Sequence, residues 1–249
     1  YHPIREWLES LSWDGVSRLA GLPALLGAED KALFGRYMEC FFIGAVARAM
    51  DPDCKVDTAL ILQGPQDSRK STFFQALVPV ESWFSDDMGG LDSKDASMAV
   101  GRAWIIEWAE LESVRRSAVG SVKAFLTRRI DRFRPPYGRE LIDVPRSSVI
   151  VGTTNEDQFL QDGTGNRRYM VVPVGSIDID AILRDRDQLW AEAAVRYGYQ
   201  EAWHLTAEEM AEQTEQNADL ISEDPWKALI ERWLSRSASL STAGYQTSL

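Results

Sequence analysis

The hydrophobic pattern changes twice along the chain, and each stretch predicts a different architecture. Over residues 1–55 it is helical. Pro3 suits a first helical turn, and Ile4, Trp7, Leu8 and Leu11 recur at helical spacing behind it. Gly15, Gly21 and Gly27 punctuate the next stretch. Leu33, Phe34, Tyr37, Met38, Phe41, Phe42 and Val46 then mark one side of a longer helix that ends before Asp51-Pro52. From Val56 the pattern turns to short apolar runs separated by turn residues. These predict strands near 58–63, 83–85, 103–108, 148–153 and 169–174, with helices near 70–78, 93–100 and 113–128. The alternation implies an α/β core over 56–176, a mainly parallel five-stranded sheet with helices on both faces. Residues 132–145 depart from it. Two short extended segments flank Pro135-Pro136-Tyr137-Gly138, a turn signal, so a hairpin is expected to project from the core.

Beyond Gly175 the spacing is helical again, giving flanking helices over 177–234. Asp178 can cap a helix carrying Ile179, Ile182, Leu183, Trp190, Ala194 and Tyr197. Thr206 and Glu209 form a capping box. Asp224-Pro225 starts a further helix with Trp226, Leu229, Ile230, Trp233 and Leu234 on one face. Residues 235–249 are rich in Ser and Thr and read as a tail or linker.

One junction carries chemistry. Leu60-Ile61-Leu62 runs into Gly64-Pro65-Gln66-Asp67-Ser68-Arg69-Lys70-Ser71-Thr72, and Phe73-Phe74 follows. A buried strand, a loop ending in Lys-Ser-Thr and then a helix is the layout of a P-loop that binds a nucleoside triphosphate. The helix start aims unpaired backbone N–H groups at an anion. Lys70 is expected to reach the β- and γ-phosphates and Ser71 to ligate Mg²⁺, with Gly64, Pro65, Gln66 and Thr72 completing the ATP cradle. The match to G-x-x-x-x-G-K-[ST] is incomplete. Arg69 stands where glycine is expected, and Asp67 brings negative charge into the loop. If Arg69 must adopt φ > 0, the strain costs about 1–2 kcal/mol, equal to about a five- to thirtyfold loss of affinity.

Phosphoryl transfer also needs an acidic strand beside the loop. Trp104-Ile105-Ile106-Glu107 supplies one, with Glu110 three positions later. Carboxyl ends of parallel strands converge on the ligand crevice, so Glu107 is expected near Mg²⁺. Either Glu107 or Glu110 can polarise the attacking water. The strand over 148–155 ends in polar side chains, and Asn155 at its tip is suited to bind the γ-phosphate or that water. In Thr164-Gly165-Asn166-Arg167-Arg168 two guanidiniums sit in a turn. Planar, permanently charged forks suit the charge that develops in phosphoryl transfer, and a neighbouring subunit often supplies them.

Composition narrows the alternatives. Hydrophobic content of 45% and nine tryptophans support a packed core. The only histidines are His2 and His204, and the only cysteines are Cys40 and Cys54. That argues against structural zinc, a histidine-based triad and His-ligated iron. Both thiols are expected to be buried and reduced in a cytoplasmic protein. No apolar stretch approaches the roughly 20 residues that span a membrane, and no secretory signal opens the chain. Its abrupt ends suit a segment of a longer protein. The net charge of −11 hides an asymmetry. Arg115, Arg116, Lys123, Arg128, Arg129, Arg132, Arg134 and Arg139 fall within 115–139 with Asp131 as the only acid, whereas nine acids face Lys227 over 201–231. A focused positive surface attracts polyanions whatever the total charge.

In chain order, WDGVSRL at 13–19, CKVD at 54–57, Gly64-Pro65-Gln66 and Lys70-Ser71-Thr72 are followed by WIIEWAEL at 104–111. Then come VKAFLTRRIDRFRPPYGR at 122–139, VGTTN at 151–155 and TGNRRY at 164–169. Together these motifs resemble the virulence-associated E family, a phage- and prophage-borne group similar to superfamily 3 helicases and poxvirus-type primase-helicases. The resemblance covers roughly residues 3–200. It implies an AAA+-like P-loop ATPase core of superfamily 3 type, using ATP and Mg²⁺, assembled as a homo-oligomer such as a hexameric ring. The implied partner is DNA, single-stranded or forked, in mobile-element replication. Lys70 and Ser71 match the phosphate and metal positions, Glu107 and Glu110 the acidic strand, Asn155 the sensor, and Arg167 and Arg168 the arginine finger. The hairpin before the sensor strand grips DNA in such helicases, which points to Arg128, Arg129, Arg132, Arg134, Tyr137 and Arg139. Asp67 and Arg69 leave an alternative, a hydrolysis-impaired module serving as a DNA-binding or assembly factor. A small-molecule kinase is a further reading of the P-loop alone.

Overall fold

The computed structural model describes residues 2–87, 103–108, 119–134, 140–160 and 165–222. Helices α1 (Pro3–Ser10), α2 (Leu22–Leu25) and α3 (Ala32–Met50) precede strand β1 (Ala59–Gln63) and helix α4 (Lys70–Ala76). Strands β2 (Phe84–Ser85) and β3 (Ile105–Trp108) and helix α5 (Val119–Thr127) come next. Strands β4 (Ile130–Phe133) and β5 (Ile142–Pro145) precede β6 (Val149–Thr154) and β7 (Tyr169–Pro173). Helices α6 (Ile179–Gly198) and α7 (Ala207–Ala218) close the described chain.

Five strands form one sheet in the order β2-β3-β6-β1-β7, with every pairing parallel. Each residue of β1 and β6 is buried, as a central strand covered on both faces must be. Alternation along β1 splits the core in two. Leu60 and Leu62 pack with Phe42, Phe73, Phe74 and Trp190, drawn from α3, α4 and α6. Ala59 and Ile61 face the other way, toward Val122, Phe125 and Leu126 of α5. The helical stretches before and after the sheet therefore share the first of these two cores with it. At its centre the rings of Trp104 and Trp190 lie 4.3 Å apart, Phe42 stands 4.5 Å from Trp190, and Trp7 meets both tryptophans edge-on. The Trp104 and Trp190 indoles each have an acceptor: Trp104 donates to the Ala45 carbonyl and Trp190 to that of Leu77.

The predicted α/β class, the five strands and the hairpin are all present. Strands β4 and β5 pair antiparallel, with Arg132 opposite Asp143. The hairpin begins at Ile130, earlier than its turn residues suggest. Pro3 opens α1, the Asp178 side chain accepts from the Ala181 N–H at the start of α6, and the Thr206–Glu209 capping box is complete. Leu183 departs from expectation. It stands at helical spacing among the apolar residues of α6, yet it is 47% exposed, because the buried stripe runs through Ile179, Ala181, Ile182, Leu189, Trp190 and Ala193. The helices expected near 93–100 and from 224 onward lie outside the described residues, as do residues 113–118 of the helix expected over 113–128. No helix among the described residues is long and apolar enough to cross a membrane.

Cys40 and Cys54 are buried and free. Burial pushes their thiols up from 9.0, Cys40 to about 12 and Cys54 to about 11. Raised folded values favour the neutral thiol, so this contribution to stability is complete below pH 9 and is lost as pH climbs through 11 and 12. Alkylation of the native protein at pH 8 is expected to be slow and to become fast only on unfolding. Rapid native labelling of either thiol would contradict the burial.

Candidate nucleotide site and basic hairpin

The carboxyl end of β1 is clamped before the loop begins. Gln63 donates through Nε2 to the carbonyls of Glu156 (2.9 Å) and Asp157 (3.2 Å), and the Gly64 N–H donates to Thr154 (3.1 Å). Gly64 is required by proximity, since a Cβ there would stand 2.5 Å from the Val174 carbonyl oxygen. The loop turns through two left-handed residues, Asp67 and Arg69, both at φ 63°. Arg69 then caps α4, which Phe73 and Phe74 anchor in the core. The condition of a positive φ at Arg69 is therefore met. Because the left-handed turn belongs to the fold itself, its cost of about 1–2 kcal/mol falls on folding and not on ligand affinity. Arg69→Gly is accordingly expected to change nucleotide affinity by less than about fivefold. Titration of a fluorescent ATP analogue checks this, and a gain above thirtyfold would place the strain in the binding step.

Lys70 is buried beneath this loop. Its ammonium donates to the carbonyls of Gly64 and Pro65 (each 2.8 Å), to Ser68 Oγ (3.2 Å) and to Asn155 Oδ1 (2.8 Å). One helical position on, the exposed Ser71 donates from Oγ to Glu107 Oε1 at 2.7 Å. Thr153 donates to the same oxygen at 2.8 Å. Glu107 is 1% exposed, and its Oε2 is buried without a hydrogen-bond partner among the described residues. Strand β6 lies between β1 and β3, which is why Thr153 and Asn155 stand between the lysine and the carboxylate. Lys70, Ser71, Glu107 and Asn155 thus form one group at the carboxyl edge of three neighbouring strands. Pro65, Gln66 and Thr72 are exposed around it. Glu110 lies outside the described residues. Thr153 was not foreseen, although the polar run closing VGTTN was its signal.

Arg167 and Arg168 lie elsewhere. They occupy a 3₁₀ turn just before β7, at its amino end, where Tyr169 pairs with Ala59. The loop that carries Asp67 and Arg69 leaves the opposite end of β1, about 16 Å away over five strand residues. Both arginines line a cavity of about 480 Å³ with Lys55, Asp57, Thr58, Trp203, His204, Leu205 and Met210. Two fully buried amides of α7 pin this turn: Asn217 donates to the carbonyls of Asn166 and Tyr169, and Gln213 donates to Tyr169. Neither amide was singled out in the sequence, although their four-residue spacing on one helix face was visible there.

Folding also changes the basic segment. Asp131 is its only acid in sequence, but two more arrive from outside it. Arg129 pairs with Asp53 (2.8 Å) and Arg132 with Asp143 (2.7 Å), while Arg128 stands 3.4 Å from Asp131. Exposed pairs such as Arg129–Asp53 and Arg132–Asp143 are worth about 0–1 kcal/mol, so a phosphate can displace them, whereas Asp131 is buried. Arg134 is exposed and has no ion pair among the described residues, and Tyr137 and Arg139 lie outside them. Ile130, Leu141 and Ile142 add apolar surface, being 45%, 60% and 40% exposed.

Comparison with known proteins gives two findings. Residues 8–221 match the model of the virulence-associated protein E-like domain. Among solved structures, the apo NrS-1 C terminal region (305-718) superposes with a TM-score of 0.56 at 15% identity, covering 84% of this chain and 54% of that one. The A form apo structure of the same region gives 0.54 at 15% identity, with 84% and 52% covered. The chain thus spans about half the length of these structures, and the likeness is one of fold. A search of curated proteins gives no match.

Proposed function

The chain belongs to the virulence-associated protein E-like domain family, and from that premise we propose that it is an ATP-binding, ATP-hydrolysing, helicase-like motor acting on DNA in phage or mobile-element replication. The observation that carries this reading is the 2.7 Å contact between Ser71 and Glu107, beside Lys70 held by Asn155. A lysine, a hydroxyl, a carboxylate and a carboxamide meeting at the ends of three parallel strands is the set that phosphoryl transfer uses. A P-loop strand separated from its acidic strand by the sensor strand also favours an AAA+ core of superfamily 3 type.

The residues fit Mg·ATP. The buried, unpartnered Oε2 of Glu107 and the Ser71 hydroxyl are hard oxygen donors, the type Mg²⁺ takes alongside water and phosphate. Bound metal would neutralise the charge that develops on the β- and γ-phosphates. Lys70 would exchange the Gly64 and Pro65 carbonyls for phosphate oxygens, Asn155 would orient the γ-phosphate or its attacking water, and Glu110 would polarise that water. Arg167 and Arg168, a strand's length from their own loop, favour action on a neighbouring copy's nucleotide, hence a homo-oligomeric ring. The exposed hairpin, with Arg132 and Arg134, is the proposed contact to single-stranded or forked DNA.

Lys70→Ala tests the motor. With Mg·ATP at 100 times its Kd, the wild type is expected to gain about 2.7 kcal/mol, roughly 5–10 °C in Tm, and to show DNA-stimulated turnover. The variant is expected to show neither. Equal turnover in the two proteins would overturn the proposal. The Asp67 carboxylate in the loop favours a second reading, a binding-only module, which a wild-type thermal shift without turnover would select.

A further inference from the structure

The β4–β5 hairpin stands apart from the five-stranded sheet, and its joint to the core is a buried ion pair. Asp131, on β4, is 1% exposed and Arg146, just after β5, is 2% exposed. Arg146 donates to both carboxylate oxygens of Asp131, from Nε at 2.8 Å and from Nη2 at 2.7 Å. Its remaining Nη1 donates to the Phe125 carbonyl of α5 at 2.7 Å, and its guanidinium lies 4.5 Å from the Phe125 ring centre. The Arg146 backbone is held too. Its N–H donates to the Arg129 carbonyl, and its own carbonyl accepts from Arg48 Nη1 of α3 (2.9 Å) and from the Asp53 N–H (3.1 Å). One residue thereby ties the first hairpin strand to the ends of α5 and α3.

The same residue leads into the nucleotide site. Three residues after Arg146 the chain enters β6, buried at every position, and the residue after β6 is Asn155, the partner of Lys70. One strand, β6, joins the hairpin root to Asn155 and so to Lys70. The joint is also an expensive one. Removing two charges from water costs several kcal/mol per ion, and an apolar pair of equal volume is often as stable or more so. What the two-point fork adds is a single allowed orientation.

We infer that Asp131 and Arg146 are positioning residues that fix the angle between the hairpin and β6, so that engagement of Lys70 and Asn155 by a nucleotide is transmitted to the hairpin's basic face. The functional half of this inference rests on the proposed DNA motor, and the geometric half does not.

The test pairs Arg146→Lys, which keeps the charge and loses the fork, with the double variant D131L/R146M, which removes both charges. Nitroxide labels are placed through Leu141→Cys on the hairpin and Tyr199→Cys on the core, positions 60% and 83% exposed, while Cys40 and Cys54 stay buried. Pulsed electron resonance is expected to give a narrow distance distribution in the otherwise wild-type protein and a broad one in either variant. The ATP KM and basal kcat are expected within about threefold of wild type, and the DNA-stimulated increment to fall about tenfold or more, as misplacement of a contacting element predicts. A joint that only stabilised the fold would lower Tm and leave that increment intact. Unchanged distance distributions, or an unchanged increment in a folded variant, would overturn the inference. If the double variant does not fold, Arg146→Lys alone decides. If the wild type has no DNA-stimulated turnover, the proposed motor fails, and the distance distributions still decide the positioning role.

Discussion

Replacing Glu107 with glutamine is expected to leave ATP affinity within about threefold and to cut turnover about 100- to 1,000-fold, a loss of about 2.7–4 kcal/mol in transition-state stabilisation. The change is nearly isosteric. The retained oxygen can still accept from Ser71 and Thr153, which both donate to Oε1, so the fold has no reason to fail. What disappears is the negative charge opposite Ser71, and with it the oxygen that lies buried and unpartnered. Under the proposed function, loss of that charge is expected to weaken metal retention where phosphoryl transfer would need it. Single-turnover rates across a magnesium titration check this. A variant that hydrolyses ATP at the wild-type rate would remove Glu107 from the metal site.

The largest effect on stability is expected at Trp190. Its indole is fully buried, lies 4.3 Å from Trp104 and 4.5 Å from Phe42, and donates to the Leu77 carbonyl at 2.7 Å. Truncation to alanine opens a cavity and leaves that carbonyl without its donor, for a loss of about 3–5 kcal/mol. That is a large share of the 5–15 kcal/mol typical of a whole domain, and corresponds to roughly 6–20 °C in Tm. Trp190 comes from α6, Phe42 from α3 and Trp104 from the residue before β3, so the stretches on either side of the sheet are expected to melt with it in one transition. Two separated transitions, or a loss below about 1 kcal/mol, would contradict a shared core.

Much of this was legible in the residues, for reasons that are local. An apolar strand, a turn and a helix beginning at Lys70 need only neighbouring residues to be recognised. The same holds for Asp178, for Thr206 with Glu209, and for the two extended segments that pair as β4 and β5. The meeting of Ser71 with Glu107 followed from one further step, that parallel strands bring their carboxyl ends together. What escaped notice depends on pairs far apart in sequence. Asp53 reaches Arg129 across 76 residues and Asn217 reaches Asn166 across 51, and no periodicity reports such meetings. Arg146, Gln213 and Asn217 are polar residues that fold inward. Hydrophobic patterning places polar residues outside, so residues whose burial rests on a distant partner go unseen. Leu183 is the converse, an apolar residue at helical spacing that meets solvent because the buried stripe of α6 is narrower than its apolar content.

The most direct test is a crystal structure of the protein with Mg²⁺ and a non-hydrolysable ATP analogue. The account predicts a triphosphate lying over the start of α4 with Lys70 turned onto it, and a metal between the Ser71 hydroxyl and the Glu107 carboxylate. A nucleotide seated anywhere else, or an undisturbed Ser71–Glu107 hydrogen bond with Lys70 still on the Gly64 and Pro65 carbonyls at saturating ligand, would contradict it.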